Sequence, residues 1–259
     1  MCARCGLIFT KNIFPPDFYY GFVNTFYGLA GENPSNSVIK LQKYKYKKIK
    51  TFLPLLSSFF SVRLSKKSLL EVSSFYGIGL DAFQNAYNTT GIEPASNAAE
   101  YSYKLTKGKC KIINDCYENS IEHLTKYDVI LFTFAFRQIA DQHFLLDSLK
   151  KLINKNGYLI ICEGHLSDFI YCESLQSMKN HFRHYKNAYY TSLNLRIALE
   201  TRGFEYIETA FFQDNDEIQS SMSIIVFKFN GAVSLPSESD FINSLNHSRS
   251  IYSAHMSLK

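Results

Sequence analysis

Between Ser68 and Glu163 the chain alternates short apolar runs of strand length with longer amphipathic runs of helix length. Adjacent parallel strands need a crossover of a dozen residues or more, so this alternation is the pattern of strands joined by helices in a parallel sheet. The spacing predicts strands over 68–73, 89–93, 109–114, 128–133 and 158–163, with helices over 77–87, 96–105 and 141–153. Asn156-Gly157 marks the turn into the fifth strand. A helix over 168–185 follows, carrying His181, Arg183 and His184, and then one over 191–201 stopped by Gly203. Two final runs, 204–212 and 222–229, read as a hairpin. The fold class is therefore α/β: a Rossmann-like, seven-stranded, mostly parallel sheet with helices on both faces and an antiparallel C-terminal hairpin. In such sheets ligands lie outside the carboxyl ends of the strands, where strand order reverses.

The expected organisation is an N-terminal segment over 1–60, the sheet domain over 61–233 with a helical insertion at about 166–202, and a C-terminal tail over 234–259. Residues 1–35 scatter Pro15, Pro16, Gly21, Gly28, Gly31 and Pro34 among aromatics, the pattern of an irregular segment that docks by its rings. Tyr20 and Tyr27 there are candidates for a lid, with plain packing as the alternative. From Asn36 to about Phe60 the pattern turns helical, with Val38, Leu41, Ile49, Phe52 and Leu56 near one stripe. Six lysines between Lys40 and Lys50 line the rest. They read as a solvated face or as contacts to phosphate.

Lys plus Arg is 28 against 23 for Asp plus Glu, a surplus spread along the chain rather than gathered into a stripe. No nucleic-acid partner is expected on that basis. The longest apolar run, around Val129 to Phe136, is far shorter than the roughly 18 residues of a membrane span. With no secretory pattern at the N-terminus, a cytoplasmic protein is expected. The six cysteines show no framework spacing and are read as reduced.

The chemistry-bearing motifs sit at the predicted strand ends. Leu69-Leu70-Glu71-Val72-Ser73-Ser74-Phe75-Tyr76-Gly77-Ile78-Gly79 is strand, turn, helix. Thr90-Gly91-Ile92-Glu93-Pro94 ends the second strand and Asn114-Asp115-Cys116 the third. The fourth strand runs through Thr133-Phe134-Ala135-Phe136-Arg137-Gln138, and Leu152 to Ile161 holds an Asn-Gly turn entering an apolar strand. Together these segments resemble class I S-adenosylmethionine-dependent methyltransferases, in particular the branch acting on sugars and other small molecules. In the first motif Glu71 matches the acidic position and Gly77 the last glycine, while Ser73 and Phe75 stand where the family has its first two glycines. The resemblance implies S-adenosylmethionine as cofactor, with Glu71, Ser73, Phe75, Gly77, Glu93, Asp115 and Phe134 around it. Glu93 would take the ribose hydroxyls and Asp115 would lie near the adenine. Independently of the family, a carboxylate at a strand's carboxyl end suits a diol. The bland readings are an exposed turn glutamate and a helix cap.

Where many small-molecule relatives carry Glu-His after the fourth strand, this chain has Arg137-Gln138. A proton acceptor is therefore expected elsewhere, with His165 past the fifth strand and His184 in the inserted helix as candidates. Cys2-Ala3-Arg4-Cys5 resembles the second knuckle of the zinc ribbon preceding sugar methyltransferase domains. Two cysteines supply half of a structural zinc site, so no metal is expected unless a second knuckle, Cys110, histidines or another subunit complete it.

Two functions are weighed. The first is an enzyme methylating a small-molecule acceptor, preferably a saccharide or nucleotide-sugar hydroxyl. The second is a catalytically silent methyltransferase-like domain serving as a binding module, motivated by Ser73, Phe75, Arg137 and Gln138. A nucleotide- or NAD-binding domain fits less well, because the phosphate turn would lack both early glycines.

Overall fold

The computed structural model describes residues 8–9, 18, 21, 34–57, 67–164, 188–212 and 222–256. A seven-stranded sheet forms its centre. Strand β2 (Lys67–Val72) pairs in parallel with β3 (Tyr87–Ile92) on one side and with β5 (Tyr127–Thr133) on the other. Outside β3 lies β4 (Lys111–Ile113), and outside β5 lies β6 (Ile153–Glu163), both parallel to their neighbours. The antiparallel hairpin of β8 (Phe204–Phe212) and β9 (Met222–Phe229) closes the sheet through β9 on β6. The spatial order β4-β3-β2-β5-β6-β9-β8 reverses direction at β2. That reversal opens a crevice between the carboxyl ends of β2, β3 and β5.

The central strands are apolar on both faces because helices cover both, as parallel sheets require. Side-chain alternation along each strand splits the core in two. On one face Leu70, Val72, Ile130, Phe132, Leu159 and Ile161 meet Leu145 and Leu149 of one helix and Leu195 of another, spanning Gln142–Leu152 and Ser192–Glu200. On the other face Leu69, Val129, Leu131 and Ile160 meet Tyr46 and Ile49 of α1 (Asn36–Ser57), together with Ile78 and Phe83 of α2 (Ile78–Phe83). The helix over Ser192–Glu200 starts on a capping box between Thr191 and Asn194, which satisfies two otherwise orphaned backbone donors.

Most predicted boundaries fall within a few residues of those observed. The helix expected over 77–87 ends earlier, at Phe83, because β3 already begins at Tyr87, whose ring packs edge-on against Phe83. The Asn-Gly pair expected to precede the fifth strand is inside it. Asn156 takes a left-handed φ of 65°, and the register with β5 slips between Tyr127 and Val129, so the turn residues form a bulge within β6. No element was expected beyond Phe229, yet a helix spans Glu238–Met256 and sets Ile251 against Tyr189. Tyr189 belongs to β7 (Ala188–Tyr189), which pairs antiparallel with β1 (Ile8–Phe9), also unforeseen in the N-terminal segment. Among the described residues no helix is long and apolar enough to cross a membrane, and no group of three His, Cys, Asp or Glu could hold a metal. Cys110, Cys116 and Cys162 are free and buried.

Candidate active site

At the carboxyl end of β2 the chain runs from Val72 through a five-residue turn, Ser73 to Gly77, into α2. Three of the five residues are left-handed: Ser73 at φ 54°, Phe75 at 52° and Gly77 at 70°. These are the positions matching the three glycines of the family motif. The backbone therefore keeps a glycine-type conformation where two side chains oppose it, at a cost of about 1–2 kcal/mol for each non-glycine residue. Compensation comes from the surroundings. Ser74 N donates to Ile92 O at 2.9 Å, Gly77 N to Ser74 O at 2.9 Å, and Phe75 N to Glu93 Oε2 at 2.7 Å. The Phe75 ring stacks at a tilt on Tyr76, 4.1 Å between centroids, and packs with Val38 and Tyr101 against Tyr76, Ala95 and Ala98. Close approach explains the remaining glycines. A Cβ on Gly77 would lie 2.0 Å from Ser102 Oγ, and one on Gly91 would lie 2.7 Å from Ser74 Oγ.

Glu93 follows β3 directly and is 3% exposed. Besides Phe75 N on Oε2, its Oε1 accepts from Ala95 N at 2.9 Å. Burial raises its pKa to about 7 against the opposing pull of those two amides. The residue expected to hold a ribose thus also ties the turn to the start of the next helix. Asp115 is exposed, and its Oδ1 accepts from Cys116 N at 2.7 Å and Asn119 Nδ2 at 3.1 Å. Asp115 does not cap the helix that follows, the bland alternative given for it: Cys116 holds the N-cap position, and no side chain caps that end.

Glu71 lies beneath α1, fully buried. Its Oε1 accepts from the Tyr46 hydroxyl and, at 3.2 Å, from Thr133 Oγ1, while Oε2 has no hydrogen-bond partner among the described residues. Burial raises its pKa to about 8, outweighing the two hydroxyls. Glu71 is thus a mostly neutral carboxyl at pH 7.

The carboxyl ends of β5 and β6 form the other side of the crevice. Phe134, left-handed at φ 62°, donates its N–H to Cys162 O at 2.7 Å, and Lys45 Nζ sits 3.5 Å from its ring centroid. Arg137 and Glu163, both nearly fully buried, form an ion pair. Nη2 and Nε reach Oε2 at 3.0 and 3.1 Å, and Nη2 also donates to Gly164 O at 2.6 Å. Arg137 thus brings a fixed cation where small-molecule relatives carry Glu-His, and Glu163 neutralises it. Glu163 was missed by sequence reading, though it shares with Glu93 the legible position of an acid ending an apolar strand. Tyr46 and Lys45 were missed for a different reason: they sit inside the lysine run read as a solvated or phosphate-facing surface. Lys45 departs from the solvated reading, being buried, whereas Lys40, Lys43, Lys47 and Lys50 are exposed. His165, His184, His181, Arg183, Cys2, Cys5, Tyr20 and Tyr27 lie outside the described residues.

A mostly parallel sheet reversing at β2, a left-handed turn there, an acid closing β3 and an antiparallel hairpin at the edge give a Rossmann-like methyltransferase fold. The chain belongs to the methyltransferase-domain family, whose model, described as "Methyltransferase domain", matches residues 41–209. Among solved structures it is similar to a SAM-dependent methyltransferase from Leishmania major, at 14% identity, with 85% of this chain and 87% of that one covered and a TM-score of 0.61. Magnesium protoporphyrin IX methyltransferase from Synechocystis PCC 6803, solved with bound SAH, is similar at 12% identity, 81% and 99% coverage and a TM-score of 0.56. A SAM-dependent methyltransferase from Archaeoglobus fulgidus follows at 13% identity, 69% and 93% coverage and a TM-score of 0.52. No curated protein matches the chain.

Proposed function

We propose that this chain is an S-adenosylmethionine-dependent methyltransferase acting on a small-molecule acceptor, its catalytic unit spanning about 61–233. The observation that carries this reading is the left-handed turn. Strained backbone persists where the surrounding structure over-determines it, and such strain clusters at ligand clamps. Here Ser73 and Phe75 keep the cradle shape although their Cβ atoms oppose it. The residues present fit the cofactor. Ser73 to Gly77 would face it with backbone, Glu93 retains a second lone pair on each oxygen for a diol, and Asp115 stands exposed at the next strand end. Phe134 would bound the methionine end.

The cofactor supplies an electrophilic methyl group for in-line displacement. The protein's share is alignment of the acceptor and, for a hydroxyl or amine, removal of a proton. His165 and His184 remain the candidates for that proton, because the Arg137 guanidinium cannot accept one and Glu163 is held by it. A saccharide or nucleotide-sugar hydroxyl is the acceptor we favour. Its support is the likeness of Cys2 to Phe9 to ribbon-bearing sugar methyltransferases, and we place the protein in the cytoplasm.

The second reading, a silent methyltransferase-like binding module, is favoured by one specific observation. Glu93 is buried with both oxygens already engaged by backbone amides. Calorimetric titration with S-adenosylmethionine and S-adenosylhomocysteine separates the two readings. Micromolar affinity in the native chain, weakened tenfold or more by Glu93→Ala, is expected. Absence of binding at millimolar ligand would overturn the enzyme reading and leave a retained fold with another use.

A further inference from the structure

We infer that Lys45, seated over the ring of Phe134 at the carboxyl ends of β5 and β6, is the cationic subsite for a carboxylate or phosphate group of the bound ligand. The inference rests on the methyltransferase reading for the identity of that ligand, though not for the existence of an anion site.

Position comes first. Lys45 is fixed on α1 by two anchors that follow it. Its neighbour Tyr46 donates to Glu71 beneath the helix, and Ile49 one turn on is fully buried. Those anchors hold the Lys45 ammonium against Phe134, the residue that leaves β5 on the crevice side, at 3.5 Å from the ring centroid. A lysine at 9% exposure is far from the usual surface placement, where the chain snorkels its charge to water.

Charge balance comes second. Among the described residues no carboxylate lies within ion-pair distance of Lys45 and no hydrogen-bond acceptor meets it. The carboxylate near enough to be felt is Glu163, whose charge is already committed to Arg137 at 3.0 Å. The Phe134 ring face offers partial compensation, as cation–π contacts do. Burial nevertheless pushes the lysine pKa down, against smaller opposing effects of Cys162 and Glu163. A buried cation without its own anion is a costly arrangement that an apolar side chain of the same length would relieve. Anionic ligand chemistry supplies what is lacking. Two sources carry it: the aminoacyl carboxylate of the cofactor, and an anionic group on the acceptor.

The test uses the full chain and its Lys45→Met and Lys45→Arg variants. Calorimetry with S-adenosylhomocysteine, which has the carboxylate, is compared with methylthioadenosine, which lacks it. If the cofactor supplies the anion, Lys45→Met weakens S-adenosylhomocysteine tenfold or more, leaves methylthioadenosine unchanged, and Lys45→Arg restores most of the loss. If the acceptor supplies it, S-adenosylhomocysteine binds all variants alike. Inorganic phosphate then binds the native chain and the arginine variant but not the methionine variant, with nucleoside present or absent. The melting temperature of Lys45→Met should equal or exceed the native value, because an unpaired buried charge has been removed; a purely structural lysine would lower it. Affinities for both S-adenosylhomocysteine and phosphate that ignore residue 45 would overturn the proposal. Should no nucleoside bind the native chain, the enzyme reading fails, while the phosphate arm alone still decides on Lys45.

Discussion

Replacing Arg137 by methionine should cost the fold about 3–5 kcal/mol, the effect expected when one partner of a buried ion pair is removed. Glu163 would be left charged inside the protein with only Lys45, beyond ion-pair distance, as a nearby cation among the described residues, and Gly164 O would lose its 2.6 Å donor. The pair joins the segment after β5 to the last residue of β6, so its loss should loosen the crevice wall as well as lower stability. The double variant Arg137→Met/Glu163→Leu is the informative control. With both charges of the pair gone, neither is left buried without its partner, and stability should return to within about 1 kcal/mol of native, the lost donor of Gly164 O being the cost that remains. Urea unfolding measures both. A single variant costing less than about 1 kcal/mol would mean that solvent reaches Glu163 and that the pair is not a buried one.

Glu71→Gln should make the protein more stable at high pH and change little near pH 4. The native carboxyl has a folded pKa raised from 4.5 to about 8 by burial. A carboxyl raised on folding contributes stability that is fully present below the unfolded value and is lost as pH rises through the folded one. Between about pH 4.5 and 8 the unfolded chain releases the proton while the folded chain keeps it. The native protein should therefore lose on the order of 3–5 kcal/mol across that window, at 1.36 kcal/mol per pKa unit. Glu93, raised to about 7 by burial, acts in the same sense over a narrower range. Glutamine reproduces the neutral acid: its oxygen can accept from Tyr46 and Thr133 as Oε1 does, and its amide occupies the place of the unpartnered Oε2. The variant's melting temperature should lie above the native one at pH 8 and coincide with it at pH 4. A native stability that rises from pH 5 to 8, or a variant destabilised at pH 8, would show Glu71 ionised in the fold.

The sheet was legible because its signals are collective. Most strands of the seven-stranded sheet repeat apolar residues over five positions or more, so an error of one or two positions at an end leaves the architecture intact. The bulge at Asn156 shows the limit: an Asn-Gly pair announces a reversal of φ, and whether it separates two elements or kinks one depends on pairing with β5. Of the candidate site, Glu93 could be singled out as an acid at a strand end and Asp115 through the family resemblance, and the ligand roles of both are proposals. The state of Glu71 was not, because it depends on Tyr46 crossing from a helix 25 residues earlier in the chain. Lys45 was hidden for the same reason, since a lysine in a run of lysines carries no sign of which one turns inward. Nor could the sequence say that Ser73 and Phe75 retain left-handed backbone, a conformation supported against local preference by the hydrogen bonds that Ser74 N and Phe75 N donate to Ile92 and Glu93.

That turn is the centre of the account, and hydrogen exchange with and without S-adenosylhomocysteine probes it directly. If the left-handed segment cradles the cofactor, peptides covering Ser73 to Asp81 and Glu93 to Ala98 should gain protection on ligand addition, while β8 and β9 at the far edge stay unchanged. Exchange in those two peptides that is indifferent to millimolar ligand would contradict the account and leave the strained turn a relic of the fold rather than its binding site.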